Sequence, residues 1–405
     1  MKKNKRLIAC LCIASMLLSG VSVSAANESD SSVEQAAEDI QTDQIQRPET
    51  DQGASEEESA VTENLDTPEN ATGEREVVGV DEKGNVFTVD DENDGVIHDE
   101  IETYARTTSV KVVNFRANQA GNAVSGVTTY TEYGTGASGY VYGKSGADAA
   151  YLGEENGKVK FMQSGVVGLV DKSKVQVVNL SSVRTYSNYY ADGTSIRHRI
   201  CMNMSISGYG GTTNVGPQQS YMKTGTTYYS YDGHYFYTDY ETMIADYKRN
   251  TRKNSVNPNN PYYNYYQYLP LRGLSSYSAN ELNNIINQHA SKASKMYNKG
   301  SQFVSNQNTY GVNALLMTGV GALESAWGTS SISQQKNNLF GLNAVDSSPG
   351  TSADRFSSVD VCIKDFAETY MSKRYLRAGW AFYHGGFLGN KASGMNVSYA
   401  SDAYW

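Results

Sequence analysis

Histidine and cysteine are scarce in this chain, and several kinds of chemistry are excluded with them. Five His are scattered over 405 residues, with no cluster of Cys and His, and no H-E-x-x-H occurs. No zinc-ligand spacing is therefore present. Of four Cys, Cys10 and Cys12 fall in the first apolar run, leaving Cys201 and Cys362 far apart in sequence. Two such cysteines make no disulfide framework and are expected as unpaired thiols in separate domains. Neither has the local look of a nucleophile, and nothing local suggests a Cys–His peptidase. Long apolar runs are missing as well. The run Leu7–Leu18 has 12 residues, too short to span a bilayer as a helix. Lys2, Lys3, Lys5 and Arg6 precede it and "SGVSVSAA" follows, the pattern of a secretory signal peptide over residues 1–25. A retained anchor is the alternative. The expectation is an exported chain with no membrane span after signal removal. No internal repeat is present beyond a loose similarity of two Tyr-rich hairpins.

Positive charge is nearly absent from one stretch and collected elsewhere. Residues 27–102 carry 25 Asp+Glu against Arg47, Arg75 and Lys83, whereas residues 103–405 carry a net charge of +9. A stretch this acidic, with few aromatic or β-branched residues, cannot bury enough apolar surface to offset its ordering entropy. Residues 26–103 are therefore expected to be a disordered, self-repelling acidic linker. The basic remainder suits an anionic polymer by long-range attraction. Its cations are scattered without a dense patch, so no nucleic acid partner is expected.

What the chain has in quantity is tyrosine, 31 of them, and glycine, 37. From 104 to 181 the runs "VKVVNF", "GYVYG", "KVKFMQ" and "VVGLVDKSKVQVV" are strand-like, with Asn156-Gly157 as a hairpin signal. Short strands with Gly-rich turns suggest a small barrel. Residues 182–250 form a second, Tyr-rich β segment, in which Asp192-Gly193 and Asp232-Gly233 both read as tight hairpins. Tyrosine there stacks against sugar rings or, more simply, fills half-exposed positions in a small sheet. Beyond Pro270 the pattern becomes helical: Ser278 and Glu281 form a capping box, and Leu282, Ile285, Ile286 and His289 recur at helical spacing.

The stretch "GVGALESAWGTSSISQQKNNLFGLNAVD" holds one carboxylate, Glu324, in an apolar helix expected over residues 314–327 and closed by Gly328. Val312, Leu315, Leu316, Val320, Leu323 and Trp327 step by three and four as one core stripe, with Glu324 at its edge. Gly321 leaves room one turn earlier. A carboxyl half-buried against Met317, Val320 and Trp327 ionises with difficulty, which suits a general acid in glycoside cleavage. A structural acid bonded to "GTSS", or an exposed helix-end acid, are the competing readings.

"ALESAWGTSSISQQKNNLFGLNAVDSSP" resembles the signature of glycoside hydrolase family 73, the bacterial cell-wall endo-β-N-acetylglucosaminidases, and "FLGNKASGMNVSYASDAYW" resembles its C-terminal segment. The β segments look like the SH3-like and WW-like modules that precede this domain in daughter-cell-separating enzymes. The resemblance implies a multidomain chain: an SH3-like barrel (104–181), a WW-like sheet (182–250) and a mainly helical, lysozyme-like α+β catalytic domain (265–405). It also implies that Glu324 is the general acid and Asp346 the base or electrostatic partner. Tyr399 would line the cleft, Asn338 and Phe340 would shape its floor, and Trp327 and Asp402 would join the substrate-binding set. Members of the family cut peptidoglycan glycan strands after N-acetylglucosamine and need no metal or organic cofactor. Anionic wall polymers are a further expected partner, and the expected location is secreted and wall-associated.

Two carboxyls about 6.5–9.5 Å apart serve direct water attack, and about 5–5.5 Å a covalent intermediate. Sequence spacing does not give the separation of Asp346 from Glu324. Asp354, Asp360 and the substrate's own N-acetyl group remain alternatives. The chain stops at Trp405, where family members usually continue into a closing helix, so a truncated catalytic domain is expected. A lytic transglycosylase and an inactive wall-binding or adhesion module are the rival functions. An anhydro-sugar product identifies the first, and indifference to Glu324→Gln the second.

Overall fold

The computed structural model describes residues 78–80, 86–88, 110–342 and 353–405. The signal-peptide stretch, most of the acidic segment and Asp346 lie outside the described residues. Within the acidic segment, read as disordered throughout, β1 (Val78–Val80) pairs antiparallel with β2 (Val86–Thr88). This is the place where β-branched and aromatic residues recur in it, a local composition that the average over the segment conceals.

The first β module contains β3 (Lys111–Asn114), β4 (Val127–Glu132), β5 (Ser138–Tyr142), β6 (Asp148–Glu155), β7 (Lys158–Gln163), β8 (Val166–Asp171) and β9 (Gln176–Asn179). All pairs are antiparallel, in the order β5-β4-β8-β7-β6-β3-β9. Asn156 and Gly157, both at positive φ (51° and 77°), make the β6–β7 turn, as their pairing in sequence predicts. Phe161 centres the core, edge-on to Phe115 at 5.0 Å and to Tyr130 at 5.3 Å.

The second β module has β10 (Asn188–Ala191), β11 (Ser195–Ile200), β12 (Gly211–Pro217) and β13 (Thr227–Tyr228), ordered β12-β11-β10-β13. Asp192-Gly193 turns β10 into β11, its carboxylate accepting the Thr194 and Ser195 amides and pairing with Arg197 Nε at 2.7 Å. Asp232-Gly233 does not make the expected tight hairpin. The buried Asp232 carboxylate accepts the His234 and Tyr235 amides and pairs with Arg252 Nε at 2.8 Å. That captures a wider loop, closed by the isolated bridge Tyr229↔Tyr237. Helix α1 (Tyr240–Lys248) follows, capped by Asp239 and burying Tyr240, Met243, Ile244 and Tyr247. Many tyrosines here are fully buried rather than half-exposed. The Tyr231 hydroxyl, for example, donates to the buried Asp148 at 2.7 Å, and Asp148 also accepts from Ser187.

The C-terminal part is helical: α2 (Tyr265–Tyr268), α3 (Ala279–His289), α4 (Gly300–Tyr310), α5 (Ala314–Ser325), α6 (Ser331–Lys336) and α7 (Val359–Asp365). The chain then runs into a π-helical segment, Phe366–Tyr375. The capping box of α3 is formed as its sequence predicts, Ser278 N donating to Glu281 Oε2 at 2.8 Å. Cys201 and Cys362 are both buried and free. Among the described residues no helix is long and apolar enough to cross a membrane.

Candidate active site

Helix α5 starts at Asn313, whose side chain accepts the amides of Leu315 and Leu316. It is apolar on every side rather than along one stripe: Gly319 and Glu324 alone among its residues are not buried. Gly321 leaves room for Phe340, whose ring lies 3.3 Å from where a Cβ would stand, and not for Glu324 as expected. The helix ends at Ser325, two residues earlier than its sequence predicts. Ala326, Trp327 and Gly328 all take left-handed φ values (48°, 57° and 75°). Left-handed backbone at two successive non-glycine residues carries strain that the surroundings must offset.

Those surroundings are specific. Ser325 Oγ donates back to Gly321 O at 2.5 Å and accepts the Gly328 amide at 2.7 Å. Ser294 Oγ donates to Trp327 O, and Lys295 N to Gly328 O at 3.1 Å. The Trp327 ring stacks on His289 at 4.5 Å, which occupies one of its faces. Ser325 of "ESAWG", with Ser294 and Lys295 from outside it, thus holds a tight exit from the helix just after Glu324.

Glu324 is half-buried, and its Oε1 accepts a hydrogen bond from Trp405 Nε1 at 2.8 Å. Oε2 lies on the side of Gly341, 3.9 Å from where a Cβ would stand there. Tyr399 belongs to the same group. Its ring meets Trp405 at 4.8 Å and Tyr375 at 5.5 Å, and burial, with the Glu324 charge second, pushes its hydroxyl well up. The π-helical segment, a form common at functional sites, supplies Tyr375 and Tyr370 to this wall.

Asn338 and Phe340 are buried and form structure beneath the site instead of touching solvent. Asn338 Nδ2 donates to Leu342 O and Asp354 O, and its Oδ1 accepts the Phe340 and Leu342 amides. Phe340 stacks flat on Phe366 at 3.7 Å. Both side chains are thus engaged inside the domain. Asp402 is also buried, and its carboxylate accepts the Tyr404 amide at 2.8 Å. Of the alternative acids, Asp360 pairs with Lys299 at 2.6 Å, a structural bond. Asp354 lies near Tyr370, whose hydroxyl burial first, and the Asp354 charge second, push up to about 12. Asp346 lies outside the described residues. Trp405 was missed as a site residue; its signal was its place in "SDAYW", beside residues already singled out. Among the described residues no group of three His, Cys, Asp or Glu could hold a metal ion.

The chain is similar in sequence to known proteins. Residues 300–405 match the Glucosaminidase family, described as mannosyl-glycoprotein endo-beta-N-acetylglucosaminidase. Two curated proteins of Streptococcus pneumoniae, from strains TIGR4 and R6, are each named "Putative endo-beta-N-acetylglucosaminidase". Both are 32% identical to this chain over 246 residues, 60% of its length. The chain spans about a third of the length of these relatives, 32% and 30%. Among solved structures, S. aureus autolysin E is similar at 22% identity and a TM-score of 0.28, over 35% of this chain and 65% of that one. Its complex with the muropeptide NAM-L-ALA-D-iGLU matches at 20% identity and a TM-score of 0.26, over 34% and 64%. Residues 300–405, with Glu324 at the end of α5, thus match the Glucosaminidase family model, and the chain is similar to pneumococcal proteins named for endo-beta-N-acetylglucosaminidase activity.

Proposed function

We propose that the chain is an exported peptidoglycan hydrolase that cleaves glycan strands after N-acetylglucosamine, with Glu324 as the general acid. The observation that carries this reading is the Glu324 carboxyl itself. It closes an otherwise buried helix, is held on one oxygen by an indole, and is flanked by Tyr399. A carboxyl so placed can deliver a proton to a bridging sugar oxygen while aromatic rings pack on the sugar. Asp346 is part of the proposal as base or electrostatic partner, with Tyr399 and Trp327 as sugar-facing residues. The names of the pneumococcal relatives support the bond assigned, and the likeness of their sequence supports its transfer to this chain.

In the same proposal the β modules, SH3-like and WW-like, dock the enzyme on the wall, and the basic residues of 103–405 draw it to anionic wall polymers. Export follows from the signal-peptide pattern. The test is digestion of purified peptidoglycan by the full chain and by Glu324→Gln and Asp346→Asn, with mass spectrometry of the released fragments. General acid catalysis contributes about 10²–10⁴-fold, so Glu324→Gln is expected to lose at least that much. Fragments from the unaltered enzyme should end in reducing N-acetylglucosamine. Unchanged digestion by Glu324→Gln, or anhydro-sugar ends, would overturn the proposal. Asp346→Asn at full rate would remove that residue from it.

A further inference from the structure

Trp405, which holds the Glu324 carboxyl, belongs to a segment fastened to the first β module. Tyr140 Oη donates to Ser398 O at 3.1 Å, and Tyr142 N, on the end strand β5, donates to Ser401 O at 2.9 Å. Ala403 is completely buried in the module's own core with Val113 and Phe161. Tyr404 stands edge-on to His198 at 4.7 Å, with its ring 3.0 Å from the Cβ position of Gly146. The buried Lys391 ammonium gathers the carbonyls of Asn396 and Ala400, and its own amide donates to Ser164 O of the same module at 3.2 Å. One residue past this anchorage, the Trp405 indole reaches Glu324.

We propose that Trp405 is a positioning residue for the Glu324 carboxyl, and that the first β module, through Ala403 and Tyr404, holds Trp405 in place. The inference rests on the reading of Glu324 as general acid. An indole N–H can only donate, so the oxygen it holds is an acceptor. The bond holds the carboxyl in one rotamer, with Oε2 toward Gly341. The β module is then a structural part of the active site as well as a docking device. Substrate protonation is coupled to a fold whose core lies elsewhere.

Groups near the carboxyl include Tyr399 and the Trp405 indole, with Tyr375, Tyr370 and Cys362 near Tyr399 and Asp354 near Tyr370. A donor to the ionised carboxylate favours that form, so its removal moves the alkaline limb of the kcat profile upward. Loss of the fixed rotamer lowers kcat about tenfold, with KM changed less than about twofold.

The experiment measures kcat, KM and the pH profile of the full chain on soluble peptidoglycan fragments. It compares Trp405→Phe, Trp405 replaced by benzothienylalanine (the same shape with sulfur in place of N–H) and Tyr404→Leu. The two Trp405 replacements should both move the limb. Tyr404→Leu, remote from the carboxyl, should move it in the same direction. Melting curves show whether each variant is folded, and the sulfur analogue preserves the packing if Trp405→Phe does not. An unmoved limb and unchanged kcat in the folded analogue would overturn the positioning role. The same result in folded Tyr404→Leu would overturn the module's part. Glu324→Gln serves as the separate control. If it is inactive while the Trp405 variants behave as unaltered enzyme, this inference alone fails; if it is active, the general-acid reading fails.

Discussion

Replacing Gly328 by Ala tests whether the strained exit from α5 is what fixes the site. Gly328 has φ +75°, and a Cβ there would stand 2.6 Å from Met296 N, 2.7 Å from Ser294 Oγ and 3.0 Å from Lys295 N. Two of those three atoms are backbone, so the methyl group cannot be accommodated by a rotamer change. Placing Ala in left-handed backbone costs about 1 kcal/mol relative to Gly. The segment 294–296 must also withdraw, which breaks the bonds from Lys295 N to Gly328 O and from Ser294 Oγ to Trp327 O. At about 1 kcal/mol each, those losses bring the expected destabilisation to about 3 kcal/mol.

Denaturant unfolding followed by tryptophan fluorescence measures it, since Trp327 moves off His289 when the turn opens. A thermal midpoint about 10 °C lower is the corresponding expectation. Gly225→Ala is the comparison: its φ is +76° with nothing within 4 Å of the new Cβ, so only the conformational cost of about 1 kcal/mol applies. The difference between the two variants isolates the collision. Gly328→Ala within about 1 kcal/mol of the unaltered protein, with full digestion of peptidoglycan, would refute the claim that this turn holds the site.

Two further outcomes follow from buried titratable groups. Burial holds the His198 imidazole down to about 3 from its ordinary 6.5, so the folded protein carries it neutral against Tyr189 at 4.1 Å. A folded value below the unfolded one means stability is full above about pH 6.5 and falls as pH drops toward 3. The loss should be about 2 kcal/mol at pH 5. Asp148, raised by burial, works in the opposite direction, but it is common to both proteins when His198→Phe is compared with the unaltered chain. Urea midpoints at pH 7 and pH 5 should converge in the variant; an equal drop in both would refute the assignment. Burial also pushes the Cys362 thiol up to about 12 and the Cys201 thiol well up. A thiol reagent at pH 8 should label neither residue until the protein unfolds, and labelling at the rate of free cysteine would refute their burial.

Local signals were read correctly where one short stretch contains all the physics. Asn156-Gly157 needs only its own left-handed backbone to turn β6 into β7, and Ser278 needs only Glu281 to cap α3. Asp232-Gly233 failed as a hairpin because its carboxylate is claimed by Arg252, twenty residues away. Helix α1 was legible at Tyr240, Met243, Ile244 and Tyr247, spaced three and four apart, yet the density of tyrosine concealed that period. The Glu324 helix was recognised, but not that it is enclosed on all sides, because one helix's pattern says nothing of how many partners surround it. Trp405 lay beyond any local rule: its hydrogen bond joins residues 81 apart.

Boundaries drawn along the chain separate residues that packing joins. Ala150 and Met162 of the first sheet share a buried cluster with Tyr231, Tyr237 and Met243, so the two β modules have a common core. Asp148 is bonded across the same junction. Ala403 and Tyr404 then carry the helical domain's last described residues into that body. Buried apolar contact resists separation roughly in proportion to its area, and a buried carboxylate that loses its partners is costly. Free rotation of the β modules about flexible joints would break both kinds of contact. In the proposed function, a β module docked on the wall would therefore set the orientation of Glu324, and the glycan strand would have to come to the carboxyl.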